Sequence, residues 1–347
     1  MKKWSTITFV FLFVLLCSQL LKACNKRDVE LGKTTPVAFT VPEGFPQPHY
    51  NFAANPLTKE GIELGRKLFY DGILSQDGNF PCASCHQQFA AFATFDHDLS
   101  HGFDNAFTTR NAPGLFNLAW QTSFHHDGGI NNIEVQALAP LTAKNEMAET
   151  VENVIKKLKE DPQYRQLFQK AFGDDDINSQ RMLKALTQFE LTMVSANSKY
   201  DKVKKGQAQF TPSEQRGYAI FQAKCNSCHT EPLFTDNSFR NNGLELHPFF
   251  KDEGRFGITN NAADKSKFKV PSLRNVELTF PYMHDGRYYT LERVMDHYVS
   301  RIEQSATLDP LLKSGIALSS ADVTDIVAFL KTLTDAEFVK DARFAQP

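Results

Sequence analysis

The stretches Cys82-Ala83-Ser84-Cys85-His86 and Cys225-Asn226-Ser227-Cys228-His229 decide how the rest of the chain is read. Each is a C-x-x-C-H pentapeptide. Two thiols one helical turn apart can both add to the vinyl groups along one edge of a porphyrin, and the adjacent His then reaches the iron as its proximal ligand. Zinc and dithiol sites also use C-x-x-C. The His following both copies, with no second C-x-x-C nearby in either half, favours haem attachment. Two covalent haem c groups are therefore expected, one on Cys82, Cys85 and His86 and one on Cys225, Cys228 and His229.

The surroundings of the two pentapeptides repeat as well. Thr58-Lys59-Glu60-Gly61 opens an apolar segment before the first, and Thr211-Pro212-Ser213-Glu214 opens one before the second. A Thr N-cap, with Pro at the first helical position and Glu three residues on in the second copy, marks a helix start. Both segments contain G-x-x-[LI]-F, as Gly65 to Phe69 and Gly217 to Phe221, which places the haem motifs at the ends of equivalent helices. Downstream, Pro113-Gly114-Leu115-Phe116-Asn117 parallels Pro271-Ser272-Leu273-Arg274-Asn275. Each Pro is followed fourteen residues later by the Asp of His126-Asp127-Gly128 or His284-Asp285-Gly286. Equal spacing in both halves indicates an internal duplication of a haem-binding unit. Between the halves, Val151 to Leu158, Leu167 to Phe172 and Leu183 to Phe189 carry apolar residues at helical spacing and read as core stripes. Ser319 to Leu333 reads as a closing helix, with Asp322 and Asp325 near its positive end. Lys199 to Gln209, charged and poorly periodic, is expected to link the domains. Little of the chain alternates with period two, so the fold class is mainly α, with two cytochrome c-like haem domains, long loops and little β.

The 347 residues suffice for two domains, and a net charge of -2 with 22% charged residues implies no nucleic-acid partner. Thirty Phe suit domains that wrap large apolar macrocycles. Met1-Lys2-Lys3, the apolar run Ile7 to Leu16 and a small residue before Cys24 read as a secretory signal over residues 1–23. The sequence before Cys24 resembles a lipobox, which would make Cys24 a lipidated first residue and the mature protein a periplasmic, membrane-anchored lipoprotein. Lys22 departs from that pattern and leaves ordinary cleavage open. Residues 24–50 are then expected as a tether, 51–205 as the first haem domain and 206–347 as the second.

Taken together, the two C-x-x-C-H motifs, Arg110-Asn111-Ala112-Pro113, Phe124 to Gly128, Gln136, Glu146-Met147, Pro271 to Val276 and Pro281 to Gly286 resemble the bacterial di-haem cytochrome c peroxidases and the related MauG proteins. The resemblance runs from about Asn55 to the last helix. It implies that the first haem is peroxidatic, with Gln136 and Glu146 in its distal pocket. A carboxylate can carry a proton from one peroxide oxygen to the other while an amide orients the molecule. The second haem is implied to receive electrons, with Tyr298 as axial ligand at the position where peroxidases place Met and MauG places Tyr; Met283 and Met295 are thioether alternatives. A Trp usually precedes the first Asp-Gly as an electron bridge. Here His126 stands there, and Trp120 is the other relay candidate. His101 is the candidate for a distal His that leaves the iron on activation. Asn111, Thr279 and Pro281 match positions that bind a calcium ion through amide and carbonyl oxygens. The implied activity is reduction of hydrogen peroxide with electrons from a small c-type cytochrome or cupredoxin, with a homodimer among the family's states. A MauG-like oxidase acting on a protein side chain is the nearest alternative. A non-enzymatic di-haem electron carrier is another, and the Gln136 and Glu146 pair argues against it.

Overall fold

The computed structural model describes residues 34–347. Its helices are α1 (Lys59–Tyr70), α2 (Cys82–Cys85), α3 (Ile133–Gln136), α4 (Leu138–Thr142), α5 (Val151–Glu160), α6 (Pro162–Phe172), α7 (Ser179–Leu191), α8 (Lys199–Lys204), α9 (Pro212–Lys224), α10 (Phe256–Thr259), α11 (Leu291–Ser300) and α12 (Ser320–Lys331). A two-residue antiparallel pair, β1 (Phe239–Arg240) with β2 (Phe268–Lys269), is the sheet among the described residues. The fold is mainly α, with long loops.

The same frame is built twice. α1 lies against α7, and α9 against α12. At the crossings a Cβ on Gly65 would sit 1.9 Å from the Ala185 carbonyl oxygen, and one on Gly217 would sit 1.9 Å from that of Asp325. Only glycine lets the backbones approach so closely. Four residues on, Phe69 and Phe221 meet Phe189 and Phe329 at ring-centroid distances of 5.4 and 5.1 Å. Both opening helices are capped as their sequences predict. Thr58 accepts from the Gly61 N–H, and Thr211 and Glu214 form a full capping box behind Pro212.

The downstream repeat is structural too. Asn117 and Asn275 share a left-handed backbone, with φ of 54° and 58°, a conformation asparagine tolerates. The Asn117 N–H donates to the Met193 carbonyl (2.9 Å), just past α7, and the Asn275 N–H to the Leu333 carbonyl (3.0 Å), just past α12. Their side-chain amides converge on Ser195: Asn117 Nδ2 donates to its carbonyl and Asn275 Nδ2 to its Oγ, each at 3.0 Å.

Four details differ from the sequence expectations. The signal and Cys24 lie outside the described residues, but Pro36 onward, expected within the tether, is packed on the body. Phe39 and Phe45 lie against Trp120, and Trp120 Nε1 donates to the Pro46 carbonyl at 2.8 Å. That segment is apolar enough to bury. The expected link at Lys199 contains α8, capped by Ser198 and Asp201, with Tyr200 (2% exposed) in the second core. Its charges mislead because Asp201 is half of a buried pair with Arg274, itself 0% exposed (2.9 and 2.8 Å). Beyond α12, Phe338 and Phe344 return to the first core, so the tail of the expected second domain packs on the first. Finally, Cys225 caps α9 directly, whereas Cys82–Cys85 form their own turn after α1 has ended and a short turn at Gly72–Leu74 has intervened.

Candidate haem and peroxide sites

Both expected proximal histidines are held for metal ligation. His86 Nδ1 lies 2.7 Å from the Phe92 carbonyl oxygen, and His229 Nδ1 lies 3.2 and 3.1 Å from those of Phe234 and Pro271. A carbonyl only accepts, so Nδ1 carries the proton and Nε2 keeps its lone pair for iron. Burial holds both imidazoles below the usual histidine range, hence neutral. The four thiols of the two motifs form no disulfide, and burial raises their pKa, Cys82 and Cys225 to about 12.

A cavity of about 540 Å³, within the roughly 300–1,000 Å³ usual for ligand sites, opens in front of His86. Cys85, Gln136, Glu146, His125 and His126 share its wall. Lys269 is a half-buried cation in that wall, donating to Gln121 Oε1 and the Ser123 carbonyl at 2.6 Å each, its pKa lowered by desolvation to about 8. Apolar walls, a ligating imidazole, attachable thiols and the cations Lys269 and Arg110 fit a macrocycle that carries carboxylates.

The structure brings Gln136 and Glu146 into one cavity with His86. Gln136 ends α3, started by Asn132, whose Oδ1 accepts from the Glu134 N–H. Glu146 is half-buried with its pKa raised by burial. A Cβ on Gly102 would lie 2.5 Å from Glu146 Cα, so glycine lets the His101 loop press against the acid. His101 itself stands at the edge of a smaller adjoining space with Cys82 and Glu146; its Nδ1 meets Asn105 Oδ1 at 2.8 Å. Trp120 packs in a separate aromatic cluster and does not line the cavity.

At the junction of the halves, each Asp-Gly glycine abuts the opposite half. A Cβ on Gly128 would meet the Phe239 ring at 2.1 Å, and one on Gly286 the Asp98 backbone at 2.5 Å. Arg110 bridges Asp127 (2.5 Å) and Asp252 (2.6 Å), holding both carboxyls below the usual range. His126 Nε2 lies 2.9 Å from the Asn111 carbonyl oxygen, and the Asn111 N–H donates to the His284 carbonyl at 2.8 Å. Burial lowers the His126 pKa to about 4. Asn111 thus joins the His126 ring to the backbone of the second His-Asp-Gly motif. Thr279 and Pro281 lie on the loop leading into the second of these motifs.

In the second half Tyr298, on α11, lies near Cys225 and Cys228; burial raises its pKa while the Asn242 amide pulls it down. Asn242 Nδ2 also lies 3.5 Å from Met283 Sδ. Met295 packs in the second core. Three functional candidates escaped the sequence reading. Asn242 touches both axial candidates. His125 holds, in the first half, the position of Met283, each with a left-handed backbone (φ 65° and 73°). Glu190 lies buried behind Gln136. Glu190 had left a trace, as an acid on the stripe of Leu183 and Leu186.

Residues 59–209 match the family described as di-haem cytochrome c peroxidase, and 214–334 the one described as cytochrome c. Over 299 residues the chain is 36% identical to methylamine utilization protein MauG of Methylorubrum extorquens, covering 85% of this chain and 83% of that one. It is 35% identical to cytochrome c551 peroxidase of Nitrosomonas europaea over 297 residues, 81% of this chain and 82% of the relative. Among solved structures, a MauG-like protein associated with microbial copper homeostasis superposes with a TM-score of 0.83 at 32% identity, over 90% of this chain and 99% of that one. The chain belongs to the di-haem cytochrome c peroxidase and MauG family. It is a two-domain c-type haem protein of an oxidoreductase family.

Proposed function

We propose that the protein is an exported di-haem c-type peroxidase that reduces hydrogen peroxide to water at the His86 haem. Electrons from a small c-type cytochrome or cupredoxin enter at the His229 haem. The observation that carries this reading is the meeting of Gln136 and Glu146 with His86 in one cavity. The haem supplies the electron-transfer chemistry when bound. The chain supplies the proton chemistry: Glu146, buried enough to hold a proton more readily than an ordinary glutamate, takes one from the nearer peroxide oxygen and returns it to the leaving one. Gln136 orients the molecule. Two electrons and two further protons complete the conversion to two waters. Comparing peroxide turnover with reduced cytochrome c against turnover without it tests the reading, which requires oxidation of the cytochrome in step with peroxide loss.

A second reading has its own support: Tyr298 lies close enough to Cys225 and Cys228 to feel both thiols, in keeping with a MauG-like oxidase of protein side chains. Oxidation of a protein substrate by peroxide with no turnover of cytochrome would favour it. The same proposal includes a calcium ion at the junction. Asn111 is buried there, its backbone N–H donating to the His284 carbonyl and its Nδ2 to the Asp98 carbonyl, and its Oδ1 receives no donor among the described residues. Export and a lipid on Cys24 complete it, and fatty-acid labelling that is lost in Cys24→Ser is the expected result.

A further inference from the structure

The smaller space adjoining the first cavity is walled by a buried acid that the Gln136 and Glu146 pair leaves without a role. Glu190 closes α7 on the apolar stripe of Leu183 and Leu186, is 3% exposed, and shares a wall with Cys82, His86 and Gln136. Both its carboxyl oxygens lie within hydrogen-bond reach of a single group, Gln136 Nε2, at 3.0 and 3.2 Å. Among the described residues no cation pairs with it. An amide whose nitrogen faces this carboxyl turns its oxygen to the opposite side, toward the cavity that Gln136 also lines.

We propose that Glu190 is a positioning residue for the peroxide site: it turns the Gln136 N–H away from the cavity, so that a bound peroxide meets the Gln136 carbonyl oxygen, a hydrogen-bond acceptor. This deepens, and rests on, the reading of the cavity as a peroxide site. Hydrogen peroxide carries an O–H at each end. An acceptor at Gln136 fixes one of them and leaves Glu146 as the member of the pair that moves a proton. Burial without a cation raises the Glu190 pKa to about 8, which suits a neutral acid whose carbonyl oxygen accepts from the amide. A carboxyl held neutral avoids the large cost of an unpaired buried charge.

The test uses fluoride, which only accepts hydrogen bonds, on the ferric holoprotein, followed by the spectrum of the His86 haem. In Glu190→Leu, an apolar side chain of similar size, the freed Gln136 amide can turn its N–H to the cavity. Fluoride should then bind about tenfold more tightly, the scale of one hydrogen bond, while the reaction with peroxide slows. Glu190→Gln keeps an acceptor for Nε2 and should stay near wild type in both. In Gln136→Leu, adding Glu190→Leu should change neither quantity further. A merely structural role would weaken fluoride and peroxide together. Unchanged or weaker fluoride binding in Glu190→Leu, or additive losses in the double variant, overturns the proposal. Since fluoride binding needs no peroxide chemistry, a wild type inert to peroxide would defeat the functional reading alone.

Discussion

The His86 half and the His229 half share a frame down to matching contacts: a glycine where two helices touch, a phenylalanine pair beyond it, a left-handed asparagine, and a histidine with Nδ1 bound to a carbonyl. They differ in what surrounds that histidine. The first half places Gln136, Glu146 and Glu190 around one small space, and the second places a phenol near its thiols and an amide between that phenol and a thioether. The duplicated frame thus accounts for haem attachment, and the unshared segments account for chemistry.

The largest expected effect breaks that contrast on the first side. Glu146→Gln should slow peroxide reduction by about a hundredfold or more, the scale of losing a proton-transfer group, and leave the His229 haem spectrum as it was. The wild-type rate should also fall as pH drops through the raised Glu146 pKa, because the group must begin ionised. That limb should be missing from the variant. Stopped-flow mixing across pH measures both, and an unchanged rate would remove Glu146 from the mechanism.

Next in size is a test of the shared frame. Gly65→Ala and Gly217→Ala each place a methyl against a backbone carbonyl and should each cost about 1–3 kcal/mol, seen as a lower melting temperature by circular dichroism. Comparable losses support the duplication. A loss at one site alone would show that the crossings are not equivalent.

The smallest effects concern the second side. Tyr298→Phe should change the spectrum of the His229 haem and raise its potential, as loss of an anionic ligand does, without touching the His86 haem. Asn242→Ala, which removes the amide and leaves the phenol, should lower that potential by roughly 40 mV, the equivalent of one hydrogen bond. Spectroelectrochemistry reads both. An identical second-haem spectrum in Tyr298→Phe would move the assignment to Met283.

Much of this frame was legible in the sequence because its signals are local. Thr58 and Thr211 announce their helices within four residues, the apolar stripes of α5, α6 and α7 recur every turn, and the motif spacing exposed the duplication. Gln136 and Glu146 came only from the family resemblance, whose ten-residue spacing they keep. What escaped depends on partners far apart in the chain. Glu190 meets Gln136 across 54 residues and Asn242 meets Met283 across 41, so neither partner is visible in a local window, although Glu190 itself stands out as an acid on an apolar stripe. Charge misled at Asp201, whose arginine lies 73 residues away, and the return of Phe338 and Phe344 to the first core had no signal in their own segment. His125 was hidden by its neighbour His126, which occupies the position where the resemblance had drawn attention.

The central claim is that one frame, used twice, leaves a single haem open to a small ligand. Titrating the ferric holoprotein with cyanide while following both haem spectra tests it most directly. The account predicts saturation at one cyanide per chain, with the change confined to the His86 haem. Binding of two cyanides, or binding at the His229 haem instead, would contradict it.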